Sequence, residues 1–332
     1  MTRRPVDRFK KILFGIITAL LASSAYVAIA ADRLIGLHSA QVLSQSMPWI
    51  AQEAGLFKKY DLDFSLVFIP SSPVATAATI SGDAEIGVTG AVGNVRAIVQ
   101  GSKDLVFIGG MKNFLTHSIM GRADIKTPQD LKGKKVGVGR FGGNTHYFVI
   151  QALRRFGMDA SKDIQTIQTG GGPETVAALL GGNIEAAGLV APGDFTVASR
   201  GYRYVVNGVD LKIPYAATCV VTLRSLINKR GAVIGRFMRT MAEATKLMHN
   251  DRPLVYKVLG KYLRITDQKV LDAAYNSEIP AMEQKLEIHE AALQASLDEI
   301  APLDPRAKNV KPADMIDRRY LVELEKSGVF AK

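Results

Sequence analysis

The chain has 332 residues, of which 47% are hydrophobic and 22% are charged, and it carries a formal net charge of +11. This composition excludes a disordered, collagen-like or coiled-coil chain, and the length is typical of about two domains. Cys219 is the only cysteine in the sequence, which excludes an internal disulfide framework and a cysteine-rich metal site.

The first thirty residues have the pattern of a secretory signal peptide. Basic residues precede an apolar run at residues 12–22, and Ala-Ile-Ala at residues 28–30 gives the small-x-small pattern of a cleavage site. We therefore predict cleavage between Ala30 and Ala31 and export to the periplasm. The apolar run is shorter than a membrane-spanning helix, so a membrane anchor is the less favoured interpretation.

The signal peptide accounts for part of the positive charge. Residues 31–332 carry a net charge of +7, and their basic residues form no block with interleaved aromatic residues. A nucleic-acid partner is therefore not predicted. No second apolar stretch of about twenty residues follows, so we expect the exported protein to be soluble.

Short apolar runs alternate with longer segments of helical periodicity in the exported chain. Strands are predicted at residues 34–37, 64–69, 85–88, 105–108, 136–138, 164–167 and 204–206. Helices are predicted at residues 48–58, 74–80, 92–99, 145–156 and 174–180, and largely helical structure from residue 225 onward. This alternation is typical of α/β folds with a mainly parallel sheet.

An internal repeat relates two parts of this pattern. When residues 70–106 are shifted by one hundred positions onto residues 170–206, nine of thirty-seven residues are identical. The identities include Gly82 with Gly182 and Glu85 with Glu185, which lie where predicted elements begin or end. We therefore predict two lobes of one supersecondary plan, with a ligand cleft where the carboxyl ends of their strands meet.

The loops that precede the predicted helices are rich in glycine and small polar residues. Such loops offer free backbone N–H groups at the positive end of a helix dipole, and small side chains let a ligand approach the backbone closely. We predict that these loops and the helix starts after them supply ligand-binding residues: Gln45, Ser46, Ser71, Ser72, Thr89, Gly90, Asn94, Gly142, Gly143, Asn144 and Thr145.

Three further residues complete the predicted binding site. Trp49 begins the first helix and is predicted to face the cleft, with the lobe core as the alternative. His146 lies in the first turn of a helix that faces the cleft, where it either donates to a ligand or is a partly exposed structural residue. Asp194 is either a helix N-cap or the partner of an amine on the ligand. Arg140 and Arg96 are candidate anion partners, with solvated arginines as the alternative.

Residues 137–142 match the dinucleotide-binding pattern G-x-G-x-x-G. The acidic residue expected after the next strand is absent, since Gln168 and Thr169 stand there. An anion-binding helix start is the preferred interpretation. The histidines have no metal-ligand spacing, so neither a metal nor a cofactor is predicted. Cys219 lies in the apolar stretch 216–223 and is predicted to be a core residue.

Four segments of the chain resemble one family. They are PWIAQEAGLFKKY followed by DLDFSLV at residues 48–67, GDAEIGVTG at 82–90, LKGKKVGVGRFGGNTHYFVIQALRRFGMD at 131–159, and NIEAAGLVAPGDFTVASRG at 183–201. They are similar to bacterial solute-binding proteins of ABC importers, of the nitrate/sulfonate/taurine type, which is related to the thiamine-pyrimidine precursor binders. The resemblance covers nearly all of residues 31–332.

The resemblance implies an α/β fold of the two-lobed type II periplasmic binding protein architecture. Each lobe would be a mainly parallel sheet flanked by helices, with a cleft between the lobes. The implied domains are a signal peptide at 1–30, a discontinuous first lobe at 31–116 and 218–332, and a second lobe at 117–217.

The implied function is solute capture without covalent chemistry. A monomer would close by hinge motion around a small anionic solute, such as a sulfonate, nitrate, taurine or an organic acid. It would then deliver the solute to a membrane permease with a cytoplasmic ATPase. Two alternatives remain: an enzyme or binder of the same fold for a pyrimidine or thiamine precursor, and an exported ligand-sensing adaptor. The enzymes among these relatives use a cysteine cluster that this chain lacks.

Overall fold

Ten strands form two sheets in the part of the chain that the computed structural model describes, residues 31–70 and 72–330. In chain order they are β1 (Asp32–His38), β2 (Leu62–Phe68), β3 (Ile86–Thr89), β4 (Leu105–Leu115), β5 (Ser118–Gly121), β6 (Lys135–Val138), β7 (Gln165–Gln168), β8 (Ala186–Leu189), β9 (Arg203–Asn207) and β10 (Ile213–Leu223). The predicted signal peptide lies outside the described residues.

The helices connect and cover these strands. They are α1 (Met47–Glu53), α2 (Leu56–Lys59), α3 (Ser72–Ser81), α4 (Ala91–Val99), α5 (Asn144–Arg155), α6 (Ala160–Asp163), α7 (Gly172–Leu180), α8 (Gly193–Ala198), α9 (Gly208–Leu211), α10 (Arg224–Asn250), α11 (Arg252–Leu263), α12 (Gln268–Glu278), α13 (Glu290–Ile300) and α14 (Arg319–Lys326). Among the described residues, no helix has both the length and the hydropathy needed to cross a membrane.

The two sheets have the same topology. The first has the order β2-β1-β3-β10-β4 and the second has the order β7-β6-β8-β5-β9. In the first sheet β2, β1 and β3 are parallel, and β10 pairs with β3 in the antiparallel sense. In the second sheet β7, β6 and β8 are parallel, and β5 pairs with β8 in the antiparallel sense. We call the first sheet with helices α1–α4 and α10–α14 the first lobe, and the second sheet with helices α5–α9 the second lobe.

The predicted repeat of one hundred residues is confirmed in the strand register. Gly36 pairs with Ile86 in the first sheet, and Val136 pairs with Ala186 in the second. Helices α3 and α4 correspond in the same way to α7 and α8. The offset continues into β1 and β6, beyond the segment in which sequence identities had been found, because strand pairing depends on backbone position rather than on side-chain identity.

The repeated glutamates have the same structural role in both lobes. Glu85 Oε2 accepts a hydrogen bond from the Ile35 N–H at 3.1 Å. Glu185 Oε2 accepts from the Lys135 N–H at 2.9 Å. Glu85 therefore fixes the position at which β3 joins β1, and Glu185 fixes the position at which β8 joins β6. Glu85 also forms an ion pair with Arg230 of α10.

Each lobe has its own apolar core. In the first lobe, Leu34, Ile86 and Phe237 belong to one buried cluster. In the second lobe, Val136 and Phe148 belong to another. Cys219 is fully buried, as predicted; burial raises the pKa of its thiol well above the ordinary value.

The lobes are joined where β4 leads into β5 and where β9 leads into β10. Only Thr116 and His117 separate β4 from β5. Ile213 and Ala217 of β10 pack into the core of the second lobe although β10 pairs with strands of the first sheet. The predicted domain limits at residues 117 and 217 stay a prediction.

The sequence prediction differs from the structure at several elements. The predicted helix at 48–58 is two helices, because Gly55 adopts a left-handed backbone conformation with φ of 68° between them. Strands β5, β8 and β10 were not predicted. β8 reads Ala-Ala-Gly-Leu and lacks the β-branched residues that usually mark a strand.

We expect Glu85→Ala to destabilise the protein by about 1–3 kcal/mol, because it removes a hydrogen bond and one partner of an ion pair at the base of the first lobe. Glu185→Ala is the matched control, since it removes the equivalent hydrogen bond without an ion pair, and its cost should be about 1 kcal/mol. Urea unfolding of both variants measures the difference. A larger loss for Glu185→Ala would contradict this account.

Candidate functional site

A cavity of about 620 Å³ lies between the two lobes. It is lined by the loops that follow the carboxyl ends of β1, β2, β6, β7 and β8, together with residues of β4, β10 and the end of α11. The position agrees with the general rule that ligands of open α/β sheets bind beyond the carboxyl ends of the strands.

The first lobe contributes a corner of ordered hydroxyl and amide groups. Gln45 is buried, and its Oε1 accepts hydrogen bonds from the N–H groups of Ser39 at 2.9 Å and Ala40 at 2.8 Å. Thr89 Oγ1 donates to Ser39 Oγ at 2.9 Å, and Ser72 Oγ is 3.5 Å from the same atom. Gln45 and Thr89 therefore hold the β1 loop open towards the cavity.

The second lobe contributes helix N-termini. Gly143, Asn144 and Thr145 at the start of α5 line the cavity, and no side chain caps this helix. The first turn of α7, which follows the glycines at residues 170–172, also lines the cavity. First-turn N–H groups and the helix dipole together favour an anion at such a position.

Asn144 connects the second lobe to the first. Its Nδ2 donates to the Ala217 carbonyl at 2.7 Å. A Cβ atom on Gly90 would lie 2.3 Å from Asn144 Oδ1, so the amide can rest against the first lobe only because residue 90 is a glycine. Arg140 makes a second contact between the lobes, from its Nε to the Pro70 carbonyl at 3.2 Å.

The charges that line the cavity are of one sign. Lys112, Arg140 and Arg264 line it, and no aspartate or glutamate among the described residues does so. Apolar side chains form the remaining wall: Val42, Phe68, Val176, Leu189, Tyr262, Leu263 and Ile265. The lining therefore combines positive charge with a broad apolar surface.

Lys112 is paired inside the protein. It is 1% exposed, and its Nζ is 2.6 Å from Oε2 of Glu278, which is also 1% exposed. Thr116 completes the cluster, since its hydroxyl accepts from Lys112 and donates to Glu278. Burial, and then the charge of Lys112, lowers the pKa of the neighbouring His117 to about 3, so this imidazole is neutral at physiological pH.

The structure brings five of the predicted site residues together on the cavity wall: Gln45, Ser72, Gly143, Asn144 and Thr145. Asp194 does not line the cavity, although its neighbours Pro192 and Gly193 do. Ser71 lies outside the described residues. Contact of any of them with a ligand stays a prediction.

Several predicted residues lie behind the wall and hold it. Ser46 is buried and donates to the Leu43 carbonyl at 2.7 Å. Asn94 is buried and donates to the Gly90 carbonyl at 3.1 Å. Thr89 is buried and reaches the cavity only through Ser39.

Two aromatic residues that were predicted to contact ligand are also set back from the cavity. Trp49 is 7% exposed and belongs to the core of the first lobe. Its ring is stacked on Tyr262, with centroids 5.0 Å apart, and Tyr262 lines the cavity. His146 Nδ1 accepts from the Gly142 N–H at 3.2 Å, which stabilises the turn before α5, where Gly142 has φ of 72°.

Asp194 lies next to the cavity without lining it. The N-cap interpretation is wrong, because α8 begins at Gly193 with Pro192 as its N-cap, and Asp194 Oδ1 instead accepts from the Phe195 N–H at 2.9 Å. Tyr204 donates to its other oxygen at 3.4 Å. Burial raises the pKa of Asp194 to about 7.

Several lining residues were missed by sequence reasoning. Ser39 and Ala40 directly follow β1, so their position after the first strand was an available signal. Lys112 and Arg264 had no such signal, because Lys112 lies inside a strand and Arg264 follows a helix of the C-terminal third. In the described residues, no group of three or more His, Cys, Asp or Glu side chains is arranged to hold a metal ion.

The two equivalent sheets and the cavity between them define the two-lobed α/β fold of periplasmic binding proteins. Solved structures show the same fold. The chain is similar to the alkanesulfonate-binding protein SsuA of Xanthomonas axonopodis pv. citri, solved with bound MOPS, with 21% identity and a TM-score of 0.72 over 87% of this chain and 98% of that one.

Two other solved structures show how widely this fold is used. The periplasmic aliphatic sulphonate binding protein SsuA of Escherichia coli is 24% identical, with a TM-score of 0.69 over 88% of this chain and 93% of that one. The desulfurization enzyme DszB is 12% identical, with a TM-score of 0.68 over 89% and 99% of the respective chains. At these identities the likeness establishes the fold alone.

The sequence also matches a family model, described as NMT1/THI5 like, over residues 46–252. The chain belongs to the NMT1/THI5-like family. A search of curated proteins found no match.

We expect Lys112→Met to destabilise the protein by about 3–5 kcal/mol, because it leaves the buried carboxylate of Glu278 without its charge partner. The double variant Lys112→Met/Glu278→Leu removes both charges and should recover most of that loss. Urea unfolding of the two variants tests this. If the double variant is as unstable as the single one, the loss comes from packing and not from the unpaired charge.

Proposed function

We propose that this protein is the periplasmic solute-binding subunit of an ABC importer and that its solute is a small organic acid. The observation that carries the proposal is the sign of the charges on the cavity wall. Lys112, Arg140 and Arg264 line the cavity, whereas no carboxylate of the described residues does. An anion in this cavity would find compensating charge and would meet no lining group that repels it.

The start of α5 supports an acidic head group. Helix N-termini bind sulfonate, phosphate and carboxylate groups through backbone N–H groups, and α5 begins at the cavity without a side-chain cap. Ser39 and Ser72 of the first lobe add hydroxyl groups opposite this helix. Closure of the lobes would replace the hydration of the head group with these donors.

The apolar wall supports an organic tail. Phe68, Tyr262 and Ile265 lie on one side of the cavity and Val176 and Leu189 on the other. A bare inorganic anion such as nitrate would leave this surface unused. A compound with an alkyl or aryl group would bury apolar area at about 25 cal/mol per Å². A sulfonate or carboxylate with such a group is the ligand class that we favour.

Transport rather than catalysis is supported by the state of the reactive side chains. Cys219 is fully buried, and its Sγ donates to the Thr89 carbonyl at 3.3 Å. His117 lines the cavity but is neutral, and its Nδ1 is buried without a hydrogen-bond partner. The predicted export signal and the family relationship support delivery of the solute to a membrane permease.

We expect alkanesulfonates and MOPS to raise the melting temperature of residues 31–332, and to do so more as the apolar group lengthens. A ligand present at about one hundred times its dissociation constant should stabilise the fold by about 2.7 kcal/mol. Taurine should bind more weakly than ethanesulfonate, because its ammonium group would meet Arg140 and Arg264 of the wall and no lining carboxylate of the described residues. Equal affinity for taurine and ethanesulfonate would contradict the assigned charge pattern.

Tryptophan fluorescence gives an independent measurement of the same binding. Trp49 is the only tryptophan of the sequence, and its ring is stacked on Tyr262 of the cavity wall. A ligand that contacts Tyr262 should therefore change the emission of Trp49. Detection of a chemically altered product after incubation with a bound compound would favour an enzyme in place of a transport protein.

We expect Asn144→Ala to weaken ligand binding by about fivefold, because it removes a side-chain hydrogen bond of about 1 kcal/mol that holds the start of α5 against Ala217 of β10. Asn183→Ala is the matched control, since Asn183 is exposed in a turn of the same lobe. Titration with MOPS, followed through Trp49 fluorescence, compares the two. Unchanged affinity in both Asn144→Ala and Thr145→Ala would overturn the assignment of this loop to the site.

A further inference from the structure

Asp194 is a buried carboxyl group that the ligand cavity does not use. It is 3% exposed and lies on α8 of the second lobe. Helix α8 packs against α12 of the first lobe, which ends at the buried Glu278. Burial first, and the charge of Glu278 to a smaller extent, raises the pKa of Asp194. Two carboxyl groups from different lobes are therefore both removed from water on a pair of helices that pack against each other.

The ammonium group of Lys112, which lies beside Glu278, already has its hydrogen-bond partners. Lys112 Nζ is hydrogen bonded to Glu278 Oε2 at 2.6 Å and to the Thr116 hydroxyl. Asp194 receives only the Phe195 N–H and the Tyr204 hydroxyl among the described residues. Glu278 thus has an ammonium partner in Lys112, whereas Asp194 forms no ion pair with any cation of the described residues.

The elements that pack against α8 offer Asp194 no other charge partner. Helix α7 carries Glu174, which is exposed and accepts from the Gly171 N–H at 3.0 Å. Strand β5 has no ionisable residue, and His117 before it is neutral. Strand β9, which carries Tyr204, also carries Arg203, which is exposed.

Helix α12 carries two further charged side chains. Lys269 is exposed, and Asp272 accepts a hydrogen bond from Tyr256. Neither is among the groups that act on Asp194, whereas Glu278 is. The closed arrangement of the lobes therefore opposes ionisation of Asp194.

We propose that closure of the two lobes takes up one proton on Asp194, so that the closed state becomes more favourable as the pH falls through neutrality. When the lobes separate, α8 leaves α12, and Asp194 regains water and loses the repulsion of Glu278. Both changes favour the ionised carboxylate. The proton is therefore bound in the closed state and released in the open one.

The pKa of Asp194 sets the pH range over which closure depends on pH. Burial, followed by the charge of Glu278, raises the pKa of Asp194 to about 7 in the closed state, against hydrogen bonds from Phe195 and Tyr204 that lower it. Above about pH 7 both states are ionised and closure is independent of pH. Below it, the closed population grows by up to about tenfold per pH unit, until the open state is protonated too.

Closure can be measured without a ligand by trapping the closed state. Arg140 Nε contacts the Pro70 carbonyl across the cleft, so Pro70→Cys/Arg140→Cys places two thiols at this contact. The rate of cross-linking by a short bis-maleimide then reports the closed population. Cys219 is fully buried and stays unlabelled. The rate is compared with and without Asp194→Asn at each pH, so that the pH dependence of thiol reactivity cancels.

The expected result is a ratio of cross-linking rates, Asp194→Asn over parent, that rises with pH by up to about tenfold per unit from pH 5 to 7 and is constant above about pH 7.5. Asp210→Asn is the matched control. Asp210 is exposed in the same lobe, and its removal should leave the ratio near one at every pH. A ratio for Asp194→Asn that does not vary with pH would overturn the proposal.

Tyr204→Phe keeps the proposal testable if Asp194→Asn fails to fold. The Tyr204 hydroxyl donates to Asp194 at 3.4 Å and lowers the pKa of that carboxyl, so its loss should move the pH at which cross-linking levels off upward. An unmoved profile in this variant would count against Asp194 as the proton-binding group. Both measurements use ligand-free protein, so their outcome is independent of the proposed solute.

Discussion

The pairing of β4 with β10 is the constraint on which the rest of the structure depends. β4 leads into the second sheet after two residues, and β10 returns from it, so both chain crossings lie side by side in one antiparallel ladder from Leu105–Leu223 to Leu115–Ile213. This ladder therefore keeps the two lobes joined at one edge of the cavity. Lys112 lies within it and is bonded to Glu278, which ties the C-terminal helices of the first lobe to the same hinge.

The two sheets are equivalent, but the two sides of the cavity present different chemical groups. Corresponding strand ends face the cavity from both lobes, but the side chains that follow them differ. The first lobe presents Ser39 and Ser72, positioned by buried Gln45, whereas the second presents glycine-rich turns and the start of α5. Hydroxyl groups and backbone N–H groups thus converge on one volume, and the arginine and lysine side chains give that volume a positive sign.

Much of the fold could be predicted from the sequence, and the site could be predicted only in part. Alternation of short apolar runs with helical periodicity identified seven strands and the repeat. β8 was not predicted because Ala-Ala-Gly-Leu lacks the residues that favour strands. It forms a strand because it pairs with β6 and β5. Loop residues such as Asn144 were predicted because glycine and small polar residues mark a loop in the local sequence. Lys112 and Arg264 were not, because their place on the wall is set by tertiary packing that no local pattern encodes.

The contacts between the lobes differ in what they do to closure. The hydrogen bond from Arg140 to the Pro70 carbonyl is exposed and exchanges readily with water, so it contributes little. The approach of Asn144 to Gly90 leaves Oδ1 buried without a hydrogen-bond partner, which opposes closure. The approach of Asp194 to Glu278 opposes it as well whenever both are ionised. Closure of this arrangement therefore needs a compensating interaction, and the proposed anionic solute would supply one through the arginines of the cavity wall.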